Sequence, residues 1–149
     1  MYYLEHCLRA GGLGSFGSAV VLRNPGGDEA ILRDVLAELQ DALPGATITT
    51  ADAGGTPPPC DLLVALFERP CRFPLHDVIH DSLDQLEGLL RHRDSCRQLL
   101  LYRTRWREAE LVPAGALPRL LRRRRREARL IRLLERSRLL RRLLRPLYS

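Results

Sequence analysis

The chain has 149 residues, 45% of them hydrophobic, which is enough for one hydrophobic core. No stretch approaches the roughly 20 apolar residues that cross a bilayer, and the first residues lack the basic and apolar regions of a secretory signal. These features argue against a membrane-spanning or secreted protein. We therefore expect a cytoplasmic location, with the four cysteines present as reduced thiols.

Charge is distributed very unevenly along the chain. All 24 basic residues are arginine, and residues 119–149 hold thirteen of them against two glutamates. This end therefore carries +11, while residues 1–118 carry −5 of the overall +6. The pattern predicts one domain with an appendage: an α/β domain over residues 1–112 with a glycine-rich N-terminal loop, and a basic, leucine-rich helical tail over 113–149.

The first part of the chain begins with residues 1–10, which suit either a short helix or a strand. The glycine-rich run 11–17 follows as a loop. Residues 18–23 are apolar on consecutive positions and predict the first strand. Asp28 is a good N-cap for a helix whose apolar residues recur up to Leu43, before Pro44 and Gly45 end it.

Three further strands and one helix are predicted beyond residue 45. The threonine alternation of residues 46–50 indicates a half-exposed strand, and the proline-rich residues 54–59 indicate a rigid loop. Residues 62–67 are continuously apolar, as in a buried strand. A helix fits residues 75–91, and the apolar run 98–103 gives a fourth strand.

The resulting order, β-α-β-β-α-β, fits two architectures. Three strands that are apolar at every position favour a sheet covered on both faces, so we predict a mostly parallel, Rossmann-like α/β sheet with the threonine-rich strand at an edge. A ferredoxin-like sandwich has the same element order and is the alternative. It would leave one sheet face in need of a cover from the C-terminal helix.

The tail supplies the predicted binding residues. Guanidinium groups pair with phosphates and carboxylates in bidentate geometry, so a dense arginine cluster predicts an acidic partner. The predicted binding arginines are Arg122, Arg123, Arg124, Arg125, Arg126, Arg129, Arg132, Arg138, Arg141 and Arg142. An acidic protein surface or self-association through the leucine doublets of this segment is preferred, followed by nucleic acid and then by an anionic membrane surface.

Two histidines suggest a metal site. His76 and His80 are spaced i, i+4 within the predicted second helix, which places both imidazoles on one helical face. Zinc-binding helices use this spacing, although the glutamate that metalloproteases place between the two histidines is missing here. Zinc is the only cofactor that the sequence suggests.

The turn after the first strand carries a local resemblance. Asn24 and Gly27-Asp28-Glu29-Ala30-Ile31-Leu32, followed by Leu43-Pro44-Gly45-Ala46-Thr47-Ile48, resemble the first βαβ unit of polysaccharide pyruvyl transferases. More distantly, they resemble the corresponding unit of heptosyltransferase-like GT-B enzymes. The resemblance covers residues 24–48 and implies a small enzyme, or an enzyme subunit, that acts on an anionic or sugar-nucleotide substrate near Asn24 and Asp28.

Two hypotheses on function therefore stand side by side. The first, which the charge distribution favours, is a non-enzymatic binding or assembly component attached to its acidic partner by the arginine-rich C-terminal helix. The alternative is the small enzyme implied by the resemblance. A deep pocket with converging polar groups would favour the enzyme, and a projecting basic helix would favour the binding component.

Overall fold

The computed structural model describes residues 2–10, 16–68, 83–104, 107–137 and 142–143. Five strands form one sheet: β1 (Ser18–Arg23), β2 (Thr47–Asp52), β3 (Cys60–Phe67), β4 (Cys96–Arg103) and β5 (Glu108–Pro113). The helices are α1 (Tyr2–Ala10), α2 (Glu29–Ala42), α3 (residues 83–89) and α4 (Leu117–Arg136). Short 3-10 turns cover Leu90–His92 and Ala114–Ala116.

The sheet has the order β2-β1-β3-β4-β5. Strands β1 to β4 run parallel, and β5 pairs with β4 in the antiparallel direction. This confirms the mostly parallel α/β sheet followed by a C-terminal helix, with the threonine-rich strand β2 at an edge. The ferredoxin-like alternative is wrong, because four neighbouring strands are parallel and both sheet faces are buried.

Contacts divide the described chain into two compact units. The first contains the sheet with α1 and α2, and the second contains α3 and α4. The division of the chain at residues 112 and 113 stays a prediction.

One core of the first unit lies between the sheet and the helices α1 and α2. Alternate residues of the central strands point into it, among them Val21, Val64 and Leu100. Leu4 and Leu8 of α1 enter the same core, whereas His6, which would share their face in a strand, is exposed, as expected for a helix. The remaining core residues of this cluster are Phe16, Ala19, Leu32, Val35, Leu39, Leu43, Leu62, Leu66 and Tyr102.

Helix α2 starts and stops where the sequence predicts. The Asp28 carboxylate accepts a hydrogen bond from the backbone N–H of Ala30 at 2.8 Å, which is the expected N-cap contact. The last turn closes with the N–H of Leu43 donating to the carbonyl of Leu39 at 2.8 Å. Leu32, Val35 and Leu39 form the buried side, so α2 is held in place mainly by apolar burial.

The proline-rich loop is the connection between two parallel strands. Strand β2 ends beside the end of β1, whereas β3 begins beside the start of β1, so residues 53–59 must return along the whole strand length. Residues 53–55 form a turn, in which the N–H of Gly55 donates to the carbonyl of Asp52 at 2.9 Å, and residues 56–59 carry the chain back toward the start of β1. The prolines of this segment, with Pro57 buried, favour the extended backbone that makes so short a connection sufficient.

In the second unit, two helices each bury one apolar side. Leu83, Leu86 and Leu89 are buried in α3, at the spacing of one helical face. Residues 75–82 of the helix predicted over 75–91 lie outside the described residues. In α4 the buried residues are Leu117, Leu120, Leu121 and Ala128. An ion pair between Arg125 and Glu87 joins the two helices. Among the described residues, no helix combines the length and apolar character needed to cross a bilayer.

Candidate functional site

The first candidate site lies at the carboxyl ends of β1 and β3. The chain leaves β1 toward β2 on one side, while β3 lies on the other side of β1, so the connections diverge at this point. Ligands of open α/β sheets bind at such divergence points, outside the carboxyl ends of the strands. The crevice here is lined by Arg23, Asn24, Gly27, Asp28, Glu29, Leu32, Leu66 and Glu68.

The Glu68 carboxylate occupies the centre of this crevice. One carboxylate oxygen accepts a hydrogen bond from the Asn24 side-chain amide at 2.7 Å, and the other accepts from the backbone N–H of Asp28 at 3.0 Å. A Cβ atom added at Gly27 would lie 2.8 Å from the Glu68 carboxylate, so a larger residue would push this carboxylate away from its two hydrogen-bond donors. The start of α2 is thus packed directly against the end of β3.

This arrangement leaves the crevice acidic and nearly full. Backbone N–H groups at a helix N-terminus attract anions. Here the N–H of Ala30 already donates to the Asp28 carboxylate, and the N–H of Asp28 already donates to the Glu68 carboxylate. Glu29 adds a third carboxylate at the same helix start. The remaining volume is about 10 Å³, which is room for about one water molecule.

The second candidate site is the arginine run of α4. At 3.6 residues per turn, the consecutive arginines 122–126 point to different sides of the helix. Arg123 and Arg124 turn to Glu127, with N–O distances of 3.7 and 3.1 Å, and Arg125 pairs with Glu87. These three guanidinium groups therefore already face a carboxylate of the same unit.

Four arginines share the outward side of α4. Arg119, Arg122, Arg126 and Arg129 are spaced i, i+3, i+7 and i+10, so they lie on one helical face, and all four side chains are exposed. None of them makes an ion pair with another residue in the described part of the chain. We call these four residues the arginine face, and it extends about 15 Å along the helix.

Exposed leucines continue the same side of α4 toward its C-terminal end. Leu130 and Leu133 are 60% and 61% exposed, and they follow Arg126 by four and seven residues. We call these two residues the leucine patch. Leu134 is 39% exposed and lies one residue off this line, on the flank of the helix.

The structure describes only some of the other predicted site residues. Arg132 and Arg142 are exposed, whereas Arg138 and Arg141 lie outside the described residues. His76 and His80, the predicted metal ligands, also lie outside them. Within the described ranges, no three histidine, cysteine or acidic side chains are grouped closely enough to hold a metal ion.

Two residues of these sites escaped the sequence-based prediction. Glu68 directly follows β3, and Asn24 directly follows the neighbouring parallel strand β1. The carboxyl ends of the two strands therefore were the signal that could have linked these residues. Arg119 precedes the arginine run and was not among the predicted binding residues. Its spacing from Arg122, Arg126 and Arg129 on a helix that begins at Leu117 places it on the arginine face.

Burial shifts the titration of several groups in the first unit. Burial raises the pKa of the Cys96 thiol to about 11, with a further increase from the charge of Cys60 on the adjacent strand. Burial likewise raises the pKa of the Cys60 thiol. The pKa of Tyr102 rises to about 12, first because the phenol is buried and then because Glu38 places a negative charge beside it.

These thiols are poor candidates for a catalytic nucleophile, because reactivity needs the thiolate and burial disfavours it. The chemistry that the described residues offer is therefore concentrated in the exposed guanidinium groups of α4. A comparison with protein-family models, curated proteins and solved structures gave no match for the chain.

Proposed function

We propose that this protein is a non-enzymatic binding component that attaches to an acidic partner through the arginine face of α4. The observation that carries the proposal is the grouping of Arg119, Arg122, Arg126 and Arg129 on one exposed side, with no carboxylate against them in the described chain. The sheet of the first unit would act as the scaffold of the component.

Electrostatics explains why such a face favours a partner. Successive arginines of the face are attached about one helical turn apart, which is less than the screening length of about 8 Å at physiological ionic strength. Like charges at this spacing destabilise a helix slightly. An anionic partner removes that repulsion, and it gains charge-assisted hydrogen bonds from guanidinium groups that the chain itself does not use.

The alternative, a small enzyme acting on an anionic or sugar-nucleotide substrate beside Asn24 and Asp28, stays a prediction. Such a substrate needs space and positive charge. The crevice offers a volume of about 10 Å³, and it sets the carboxylates of Asp28, Glu29 and Glu68 against one guanidinium group, that of Arg23. These properties give the enzyme hypothesis less support than the arginine face gives the binding hypothesis.

The test is a binding titration of the full chain with two acidic probes, polyglutamate and a single-stranded oligonucleotide, at increasing salt. We expect binding to at least one probe, weakened by salt because the contact is ionic. A fourfold variant should bind that probe at least about tenfold more weakly, since charge-assisted contacts contribute about 1.5–3 kcal/mol each before screening. Its substitutions are Arg119→Gln, Arg122→Gln, Arg126→Gln and Arg129→Gln.

A matched control removes the same charge from the first unit. Its substitutions are Arg9→Gln, Arg33→Gln, Arg93→Gln and Arg103→Gln, all at exposed positions. We expect this control to bind nearly as well as the unchanged chain. Equal losses in the two variants would attribute binding to net charge alone, and the absence of salt-dependent binding to either probe would overturn the proposal.

A further inference from the structure

We infer that the partner of α4 is a protein segment that combines carboxylates with apolar side chains, an inference that rests on the proposed function. The starting point is that three residues of the arginine face and the leucine patch form one continuous stripe, with Arg129, the fourth residue of the face, beside its C-terminal half. Arg119, Arg122, Arg126, Leu130 and Leu133 follow each other at intervals of three or four residues. The stripe is about 21 Å long, and all of its side chains are exposed.

The order of residues along the stripe defines what can cover it. Its N-terminal part presents guanidinium groups, and its C-terminal part presents Leu130 and Leu133, which are 60% and 61% exposed. Intervals of three and four residues are those at which one helix contacts another along its length. A partner helix that carries carboxylates over one half and apolar side chains over the other half would satisfy both parts.

A second copy of the same stripe does not fit. A twofold contact places the same surface of both chains together. If the two helices ran parallel, Arg119, Arg122 and Arg126 of one chain would meet the same arginines of the other. If they ran antiparallel, the guanidinium groups would meet Leu130 and Leu133, which offer no negative charge.

Nucleic acid and membrane surfaces each match only part of the stripe. Phosphate groups along a nucleic acid backbone would pair with the arginines but would leave the leucine patch without an apolar contact. An interfacial helix inserts an apolar side that runs along its length, flanked by basic residues. Here Arg119, Arg122 and Arg126 occupy the very line that would have to enter the acyl region. A segment with both carboxylates and apolar groups accounts for the whole stripe.

The test compares two synthetic helical peptides as probes for the full chain, with binding followed by fluorescence anisotropy. The first peptide carries glutamates over one half of a helical face and leucines over the other half. The second carries the same glutamates, with glutamine in place of each leucine. We expect the first peptide to bind at least about tenfold more tightly, since burial of even one leucine side chain is worth that factor.

Variants of the chain locate the apolar contribution. The double substitution Leu130→Ser and Leu133→Ser should remove the difference in affinity between the two peptides. The affinity for the second peptide, which carries glutamine in place of leucine, should stay the same. The matched control, Leu134→Ser with Leu143→Ser, changes two leucines that are 39% and 69% exposed but do not lie on the stripe. It should retain the difference, and thermal unfolding checks that both variants are folded.

The outcomes separate failure of this inference from failure of the proposed function. Equal affinity for the two peptides, both weakened by the fourfold arginine variant, would overturn the inference and keep the binding role. A single-stranded oligonucleotide or phosphatidylglycerol vesicles bound more tightly than the first peptide would also overturn it, in favour of nucleic acid or membrane. So would a dimer mass that the Leu130→Ser and Leu133→Ser variant loses. If the arginine variant binds every probe unchanged, the proposed function itself is wrong.

Discussion

The amide of Asn24 and the carboxylate of Glu68 are hydrogen-bonded at 2.7 Å across the ends of two parallel strands. The same amide also donates to the carbonyl of Leu66 at 2.7 Å, so Asn24 uses both of its N–H donors on β3 and the residue that follows it. Because Glu68 also accepts from the backbone N–H of Asp28, one side chain holds the end of β1, the end of β3 and the start of α2 together.

Removal of the Glu68 carboxylate should lower the stability of the fold. The substitution Glu68→Ala deletes a partly buried hydrogen bond from Asn24 and an exposed one from the N–H of Asp28, so we expect the free energy of unfolding to fall by about 1–2 kcal/mol. Urea denaturation measures this loss. Glu29→Ala is the control, since Glu29 is exposed and its nearest cation, Arg23, lies 3.8 Å away, a surface contact worth little. Equal effects of the two substitutions would contradict the structural role of Glu68.

Two glycine substitutions should have opposite consequences. In Gly27→Ala the new methyl group would lie 2.8 Å from the Glu68 carboxylate and 3.1 Å from the carbonyl oxygen of Asn24, so we expect a loss of about 1–3 kcal/mol. In Gly88→Ala nothing lies within 4 Å of the new group, and the residue is helical. That variant should gain about 0.5–1 kcal/mol. Thermal melting compares both with the unchanged chain, and a stable Gly27→Ala variant would show that the crevice can open.

Tyr102 should make the stability of the fold fall at alkaline pH. Burial and the nearby Glu38 raise its pKa from 10.0 to about 12, so the folded chain favours the neutral phenol. The stabilisation is therefore fully present below about pH 10 and is lost as the pH rises toward 12. Tyr102→Phe should lose about 1 kcal/mol at neutral pH, where its hydrogen bond to Glu38 is missing, and should show a weaker alkaline decline. Urea titrations at several pH values give both curves, and parallel curves would refute the assignment.

Alkylation of Cys96 should be slow in the folded protein. With a pKa of about 11 instead of 9.0, the reactive thiolate is about a hundredfold scarcer at neutral pH. Iodoacetamide labelling followed by peptide mass spectrometry measures the rate at this residue. The same peptide from urea-unfolded protein provides the reference rate. Labelling at equal rates in the two states would mean that the thiol is not held in the buried environment between β3 and β4.

Local sequence signals predicted the elements whose limits depend on local chemistry. Asp28 as the N-cap and Pro44 as the stop gave α2 almost to the residue, since both act within one helical turn. Consecutive apolar positions gave β1, β3 and β4, because a strand buried on both faces needs no alternation. These signals also gave the mostly parallel sheet.

Strand β5 escaped prediction for a physical reason. Its residues Glu108–Pro113 mix charged and apolar types, and only Val112 is buried. An antiparallel edge strand gains its position from hydrogen bonds to β4, here with Leu99 opposite Val112, rather than from a distinct apolar pattern. The pairing with β4 positions this strand, and its mixed sequence contains little apolar pattern from which a strand could be recognised.

The sequence located the basic segment but not the side of the helix that matters. In the sequence, the five consecutive arginines form one cluster. In the helix, Arg123 and Arg124 pair with Glu127, whereas Arg122 and Arg126 are exposed on another side. The starting residue of α4 determines these directions. The sequence predicted a helical tail without an exact first residue, so it could not assign the faces.

The composition of the arginine face limits which covalent modifications can change its charge. The chain contains no lysine, so acetylation, which cancels the charge of a lysine, has no side-chain target anywhere in it. Methylation of arginine would keep the charge and only remove hydrogen-bond donors. Neither of these two modifications would therefore lower the positive charge of Arg119, Arg122, Arg126 and Arg129. Under the proposed function, phosphorylation of the partner would add negative charges for the helix to meet, whereas acetylation could not lower the charge of the helix itself.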